Sequence, residues 1–262
     1  MDRGTGARTC AGETRGIRVV IFDRAEELES LRSRLEKRRA FLLHGPAGVG
    51  KSLLLRQAAG GVPSVLCCQD SRSPLLVFRS LAGALIKAGS EYVRSRLGPS
   101  PEKATAVSTK GVVVEALRRG RYTVVLDRLP FTSQSFAAAL REIIGWAATP
   151  VVCVARSHHM EDVGFVLNLY PGRADCFELC NFAPETALEF AQRTVAESGL
   201  TAGNLPEFLD RVVDLSGGNP GAILSMVKMA MQPKYRSEEH IKITPLYVDF
   251  RMSAICSSPS KA

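Results

Sequence analysis

The octapeptide Gly45-Pro46-Ala47-Gly48-Val49-Gly50-Lys51-Ser52 constrains the fold more than any other part of the chain. It matches G-x-x-x-x-G-K-[ST] at every fixed position. It also has the flanks that such a loop requires. Phe41-Leu42-Leu43 is a short apolar run of the kind that forms a buried strand, and residues 52–59 read as a helix. The residue types follow from the chemistry of an anion. Glycines let the backbone curl until several N–H groups converge on one phosphate. The helix that follows adds its unpaired amides, that of Leu53 among them, and the positive end of its dipole. Lys51 is a mobile point charge that reaches outer phosphates, and the Ser52 hydroxyl is a hard oxygen ligand suited to Mg2+.

Around the loop, apolar runs alternate with helical periodicity. Residues 24–38 carry Leu28, Leu31 and Leu35 on one face. Strands are expected at residues 64–68, 122–126, 151–155 and 177–179, and helices at 75–87, 112–119 and 136–147. This alternation predicts an α/β fold: a three-layer α/β/α P-loop core with a five-stranded parallel sheet over residues 17–182. From Pro184 onward the pattern is helical only, at residues 184–198, 206–215 and 220–231. Each of these helices opens on proline, which is tolerated at the first helical position. A small all-helical lid over residues 183–232 is the expectation. Residues 1–16, with Arg3, Arg8 and Arg15 among Gly and Thr, read as a disordered tail. Residues 233–262 read as a C-terminal tail with a β segment at 241–250.

Val124-Val125-Leu126-Asp127 is a second motif, an apolar strand ending in an acid. Beside a phosphate loop, such an acid holds Mg2+ directly or through water. Hydrolysis also needs a group to orient the attacking water, and a carboxylate next to the metal acid usually provides it. Here that position is Arg128, a guanidinium with no capacity to accept a proton. The next carboxylate in the chain is Glu142. Slow hydrolysis is therefore expected, with a base from elsewhere, such as Glu161 or a neighbouring subunit.

Taken in this order, the motifs resemble those of the STAND-type and archaeal-type P-loop ATPases of the AAA+ class. Two further stretches carry the resemblance. Phe22-Asp23-Arg24-Ala25-Glu26-Glu27-Leu28 is similar to the F-x-G-R-x-x-E-L box that lines the base and ribose, with Asp23 where glycine is usual. Gly218-Asn219-Pro220 is similar to the G-x-P motif whose proline meets the nucleotide from the lid. The resemblance covers residues 21–231. It implies ATP as the ligand with Mg2+, Arg24 and Pro220 against the nucleotide, and Lys51, Asp127 and Arg156 as the catalytic set. Arg156 closes the run Val151-Val152-Cys153-Val154-Ala155, at the sheet edge where open α/β sheets bind ligands. His158 and His159 follow it and read as exposed loop residues. Leu215-Ser216-Gly217-Gly218-Asn219 looks like a transporter-ATPase signature. It lies beyond Asp127 rather than between the two nucleotide motifs, so that reading fails on order.

Composition narrows the functions further. Apolar residues make up 45% and charged residues 23%, as in an ordinary globular protein. The net charge of +8 favours acidic partners, but its densest places are short, such as Lys37-Arg38-Arg39. Aromatics at 6% leave little from which to build a base-stacking surface. Nucleic acid is thus the disfavoured partner, and residues 232–262 are too few for a winged helix. No apolar run reaches the ~18 residues of a membrane span. The seven cysteines include Cys67-Cys68 inside an apolar run, which points to a reduced, cytoplasmic protein. Cys176 and Cys180 lack two further ligands for zinc. The leading expectation is a slow Mg-dependent ATPase that acts as a nucleotide switch, with a protein partner or self-association. The alternatives are a non-hydrolysing nucleotide-binding scaffold and an initiator-like DNA binder.

Overall fold

Five short apolar runs form one parallel sheet in the computed structural model, which describes residues 21–60, 62, 64–101 and 105–256. They are β1 (Phe41–His44), β2 (Val65–Cys68), β3 (Thr123–Leu126), β4 (Val151–Val154) and β5 (Cys176–Glu178), in the order β2-β3-β4-β1-β5. β1, β3 and β4 are buried at every residue, as expected of strands covered by helices on both faces. Register is set by pairs such as Leu42 with Cys153 and Val125 with Val152. α1 (Ala25–Glu36) precedes the sheet, and the crossovers run through α2 (Lys51–Ala59), α3 (Pro74–Lys87), α4 (Glu91–Leu97), α5 (Ala106–Arg119), α6 (Gln134–Trp146) and the single turn α7 (Met160–Val163). Each large side chain in this core, such as Leu81, Leu117 or Leu140, contributes about 1.5–3 kcal/mol by leaving water.

The chain divides into two compact units. One holds the described residues up to Gly45 together with Lys51–Leu179, and the other holds Pro46–Gly50 together with the described residues from Cys180 on. The second unit contains α8 (Pro184–Ser198), α9 (Leu205–Ser216), α10 (Pro220–Ala230), a two-stranded ribbon β6 (Arg236–Ser237) and β7 (His240–Ile241), and α11 (Ile243–Cys256). Its core gathers Ala187, Phe208, Ile223, Met226, Tyr235 and Leu246. The expected tail at residues 1–16 lies outside the described residues. Among the described residues, no helix is long and apolar enough to cross a membrane.

Several elements differ from the sequence reading, the single turn α7 among them. The β segment expected at residues 241–250 is helix from Ile243, and only the brief β6–β7 ribbon precedes it. Its β-branched and aromatic residues suggested a strand, but Ile243, Leu246, Tyr247 and Phe250 fall at helical spacing and pack on the core of the second unit. Asp249 fastens this helix by accepting from Tyr235 Oη at 2.8 Å and by pairing with Lys234. α4 was not anticipated; Ser90 caps it by accepting from Val93 N. α5 begins well before residue 112, because Thr109, Val113 and Leu117 form a fully buried stripe that outweighs the weak helix propensity of Ser, Thr and Gly there.

Candidate phosphate-binding site

In the first unit, β1 delivers the chain to the carboxyl edge of the sheet. His44 O accepts from Leu179 N at 2.8 Å, and Gly45 follows with φ +148. A Cβ at Gly45 would run into the Leu179 carbonyl oxygen, so only glycine lets the chain turn away from the sheet here. The chain re-enters this unit at Lys51, the first residue of α2. Lys51 Nζ donates to Gly45 O at 2.7 Å, folding the side chain back toward the end of β1. Burial lowers the Lys51 pKa; the Asp127 carboxylate opposes that shift and the Arg156 guanidinium adds to it. Lys51 therefore feels both charges that the sequence reading assigned to its neighbourhood.

Asp127 lies one residue beyond β3 and Arg156 two residues beyond β4. Ser52 Oγ donates to Asp127 Oδ1 at 2.7 Å. The two expected metal-binding residues are thus already in contact across 75 positions of sequence. Their oxygens are hard donors that suit Mg2+. Among the described residues no cluster of three or more His, Cys, Asp or Glu is placed to hold a metal. Mg2+ at Ser52 and Asp127 would therefore draw its remaining ligands from phosphate oxygens and water, which is its usual habit. Asp127 O accepts from Ser71 Oγ at 3.0 Å, a contact that had no signal in the sequence. Arg156 is exposed, and so is Leu53, at 36%. Arg24 is 7% exposed at the start of α1 and pairs with Glu27 at 2.9 Å. Asp23, where the resemblance expects glycine, has φ +46, a region in which Asp is among the better tolerated non-glycine residues.

Arg128 also has a left-handed backbone, φ +57, and is exposed. Leu129 N, donating to Val154 O at 3.1 Å, holds the chain just beyond it. Glu142 is paired with Lys110 at 2.7 Å, joining α6 to α5. Sequence reasoning passed over His44, which is 5% exposed. Its ring lies 4.8 Å from that of His158, and the His158 ring lies 4.4 Å from that of His159. Burial lowers the His44 pKa, His158 lowers it further, and Glu178 acts in the opposite sense.

In the second unit, Pro46–Gly50 are held by the start of α10. Asn219 caps this helix, its Oδ1 accepting from Ala222 N at 3.1 Å. Its Nδ2 donates to Ala47 O at 2.9 Å and to Asn181 Oδ1 at 3.1 Å. Gly221 N donates to Gly48 O at 3.1 Å. A planar trans peptide points its carbonyl and its N–H in opposite directions. Tying Ala47 O to Asn219 therefore turns the Gly48 N–H away from Asn219. Gly48 has φ +84, and a Cβ there would come 2.6 Å from Asn219 Oδ1. Pro220 is buried between these two contacts. The sequence reading singled out Pro220 and missed Asn219 and Gly221, although Asn followed by Pro is a helix-start signature.

The approach of α10 to the loop is close enough to test. A Cβ at Gly221 would lie 2.8 Å from both Gly48 Cα and Gly48 O. Gly221→Ala is expected to lower stability by about 1–3 kcal/mol through overpacking. Thermal unfolding beside Ser225→Ala, one turn further along an exposed face, checks this. Equal melting temperatures for the two variants would show that the contact is not tight.

No protein-family model matches the chain, and no curated protein matches it. Among solved structures it is similar to the Walker-type ATPase of Pyrococcus abyssi, at 19% identity and a TM-score of 0.62, over 90% of this chain and 74% of that one. It is similar to the Orc1 protein of Aeropyrum pernix, solved in complex with DNA, at 19% identity and a TM-score of 0.59, over 90% of this chain and 66% of that one. A third is a Signal Transduction ATPase with Numerous Domains from Pyrococcus horikoshii, with a tetratricopeptide repeat sensor. There the identity is 16% and the TM-score 0.51, and the chain spans only 33% of that protein. At such identities the likeness is one of fold alone: an α/β P-loop core with a helical region, shared with these ATPase structures.

Proposed function

We propose that this chain binds ATP with Mg2+ and hydrolyses it slowly, so that the bound nucleotide acts as a switch for a protein partner or for self-association in the cytoplasm. The observation that carries the reading is the Ser52–Asp127 hydrogen bond of 2.7 Å. Two hard-oxygen ligands stand together where the loop Gly45 to Ser52 delivers Lys51. In this reading the loop amides, with that of Leu53, cradle the phosphates, and Lys51 spans the outer two. Bound Mg2+ supplies positive charge to the outer phosphate oxygens. Arg24 and Pro220 contact the nucleotide, as the resemblance implies. The non-hydrolysing scaffold is the second reading, and Arg128 is what favours it.

The experiment is to measure nucleotide retained by the purified protein, with turnover followed in the same sample. A protein that carries no nucleotide and binds neither ATP nor ADP at millimolar concentration with Mg2+ ends the proposal. Arg156 gives a sharper check. As a contact made only to the third phosphate, it affects ATP and leaves ADP alone. A charged hydrogen bond contributes about 1.5–3 kcal/mol. Arg156→Ala is therefore expected to reduce the ATP-over-ADP preference by about ten-fold or more. Equal losses for the two nucleotides in titration calorimetry would remove Arg156 from that role.

A further inference from the structure

We propose that Asp70 is the carboxylate that orients the attacking water, filling the role that Arg128 leaves vacant beside Asp127; this rests on the ATPase reading above. The register of the sheet brings the two acids to one edge. β2 and β3 run parallel with Cys68 opposite Leu126 as their last pair. One residue further on, the two chains leave the sheet together at Gln69 and Asp127, about 4.8 Å apart if the strand spacing is kept. They do not separate there. Ser71, 5% exposed, donates its hydroxyl to Asp127 O at 3.0 Å. Asp70 thus sits between the end of β2 and a direct tie to the metal acid.

The turn around Asp70 is fixed from several directions. Asp70 O accepts from Cys68 Sγ at 3.1 Å, and Gln69 N donates to Ser80 Oγ at 2.7 Å. The Asp70 carboxylate accepts from Arg72 N at 3.1 Å and Arg72 Nε at 3.0 Å on Oδ1, and from Arg72 Nη2 at 2.7 Å and, more weakly, the same Nε at 3.3 Å on Oδ2. Because the Nε–H is shared between the two oxygens, three N–H groups serve about four acceptor sites, and Oδ2, where Nε makes its longer contact, keeps capacity for a water proton. Arg72 keeps the group anionic and lowers its pKa. It also makes Asp70 a weaker base, which matches the slow turnover expected of this chain. Of the other carboxylates weighed for this role, Glu161 is exposed on the single turn α7. Glu142 is paired with Lys110, and Asp162 accepts from Ser157 Oγ at 2.8 Å.

In the step itself, the water oxygen forms a bond to the γ-phosphorus. The bond from that phosphorus to the β–γ bridging oxygen breaks, and its electron pair leaves with ADP. The water proton passes to Asp70 Oδ2 and on to solvent. Arg72 acts as a positioning residue, because it holds the carboxylate and sets its basicity.

The test compares the full chain with Asp70→Asn, an isosteric change that keeps an acceptor for Arg72 N. The expected result is unchanged binding of MgATP and MgADP with turnover at least about 100-fold lower. Arg72→Gln is expected to move the acid limb of the turnover profile to higher pH, since the lowering of the Asp70 pKa is relieved. Asp70→Asn that binds MgATP and hydrolyses it at the parental rate overturns the proposal. So does a parent that holds MgATP without hydrolysing it. Should Asp70→Asn fail to fold, an acid limb unmoved in Arg72→Gln overturns it instead. A parent that binds no nucleotide is a different result: it removes the ATPase reading, and this proposal with it.

Discussion

Replacing Lys51 by alanine is expected to abolish tight nucleotide binding and leave the fold standing. The side chain is half-buried, but its Nζ is turned to Gly45 O at 2.7 Å, just beyond β1, and is no part of the apolar core. The buried residues of α2 are Leu54, Leu55, Ala58 and Ala59, and none depends on Lys51. Alanine is also the best helix former, so the first turn of α2 loses nothing by the change. What disappears is a cation able to serve two phosphates. At about 1.5–3 kcal/mol per charged hydrogen bond, the loss is roughly 3 kcal/mol or more. That corresponds to a hundred-fold or greater rise in Kd. Equilibrium binding of ATP with Mg2+, measured beside thermal unfolding, separates the two effects. A variant that binds ATP as tightly as the parent would defeat the phosphate-site assignment. A variant that melts far below the parent would show that Lys51 supports the fold after all.

What the sequence revealed, and what it concealed, divides along the range of the interactions. The loop, the strand ending in Asp127 and the alternation of strands with helices are local patterns. Their chemistry dictates residue types, so they are legible in the sequence. Ser71 and Asn219 are different. Each acts through a contact far away in sequence: Ser71 on Asp127, 56 positions away, and Asn219 on Ala47, 172 positions away. A serine or asparagine in isolation carries no such signal. α11 was misread because β-branched and aromatic residues were given more weight than the spacing of Ile243, Leu246, Tyr247 and Phe250. Packing in the second unit settles that contest in favour of helix. α5 shows the same effect in its first turns, since Thr109, ahead of the expected helix, is fully buried. The left-handed backbone at Asp23 and Arg128 had only a faint signal, the Asp in place of a usual glycine.

Arg128 is also where the largest gain of activity is expected. Its φ of +57 costs on the order of 1–3 kcal/mol in an L residue, and such strain collects at functional positions. Glutamate at this position would carry the same backbone strain, because both side chains are unbranched at Cβ. The fold should therefore tolerate Arg128→Glu with little change in melting temperature. The electrostatics change sharply, by two charge units beside Asp127. A carboxylate there is free of the Arg72 clamp that restrains Asp70, and so is the better proton acceptor. General-base assistance contributes roughly 10²–10⁴-fold when well placed. The geometry here has not been shaped for a glutamate, so a rise in turnover of about ten-fold or more is the expectation. Binding of ATP should weaken, because the cation beside the phosphates is lost. Arg128→Gln serves as the control, since it removes the charge without adding a base, and no comparable rise is expected from it. Turnover at saturating MgATP should therefore rank glutamate well above glutamine and the parent. If glutamate and glutamine behave alike, or if the parent already turns over above the ~1 per second of ordinary enzymes, the missing carboxylate was never what limited the rate. The slow-switch reading would then lose the residue on which it chiefly depends.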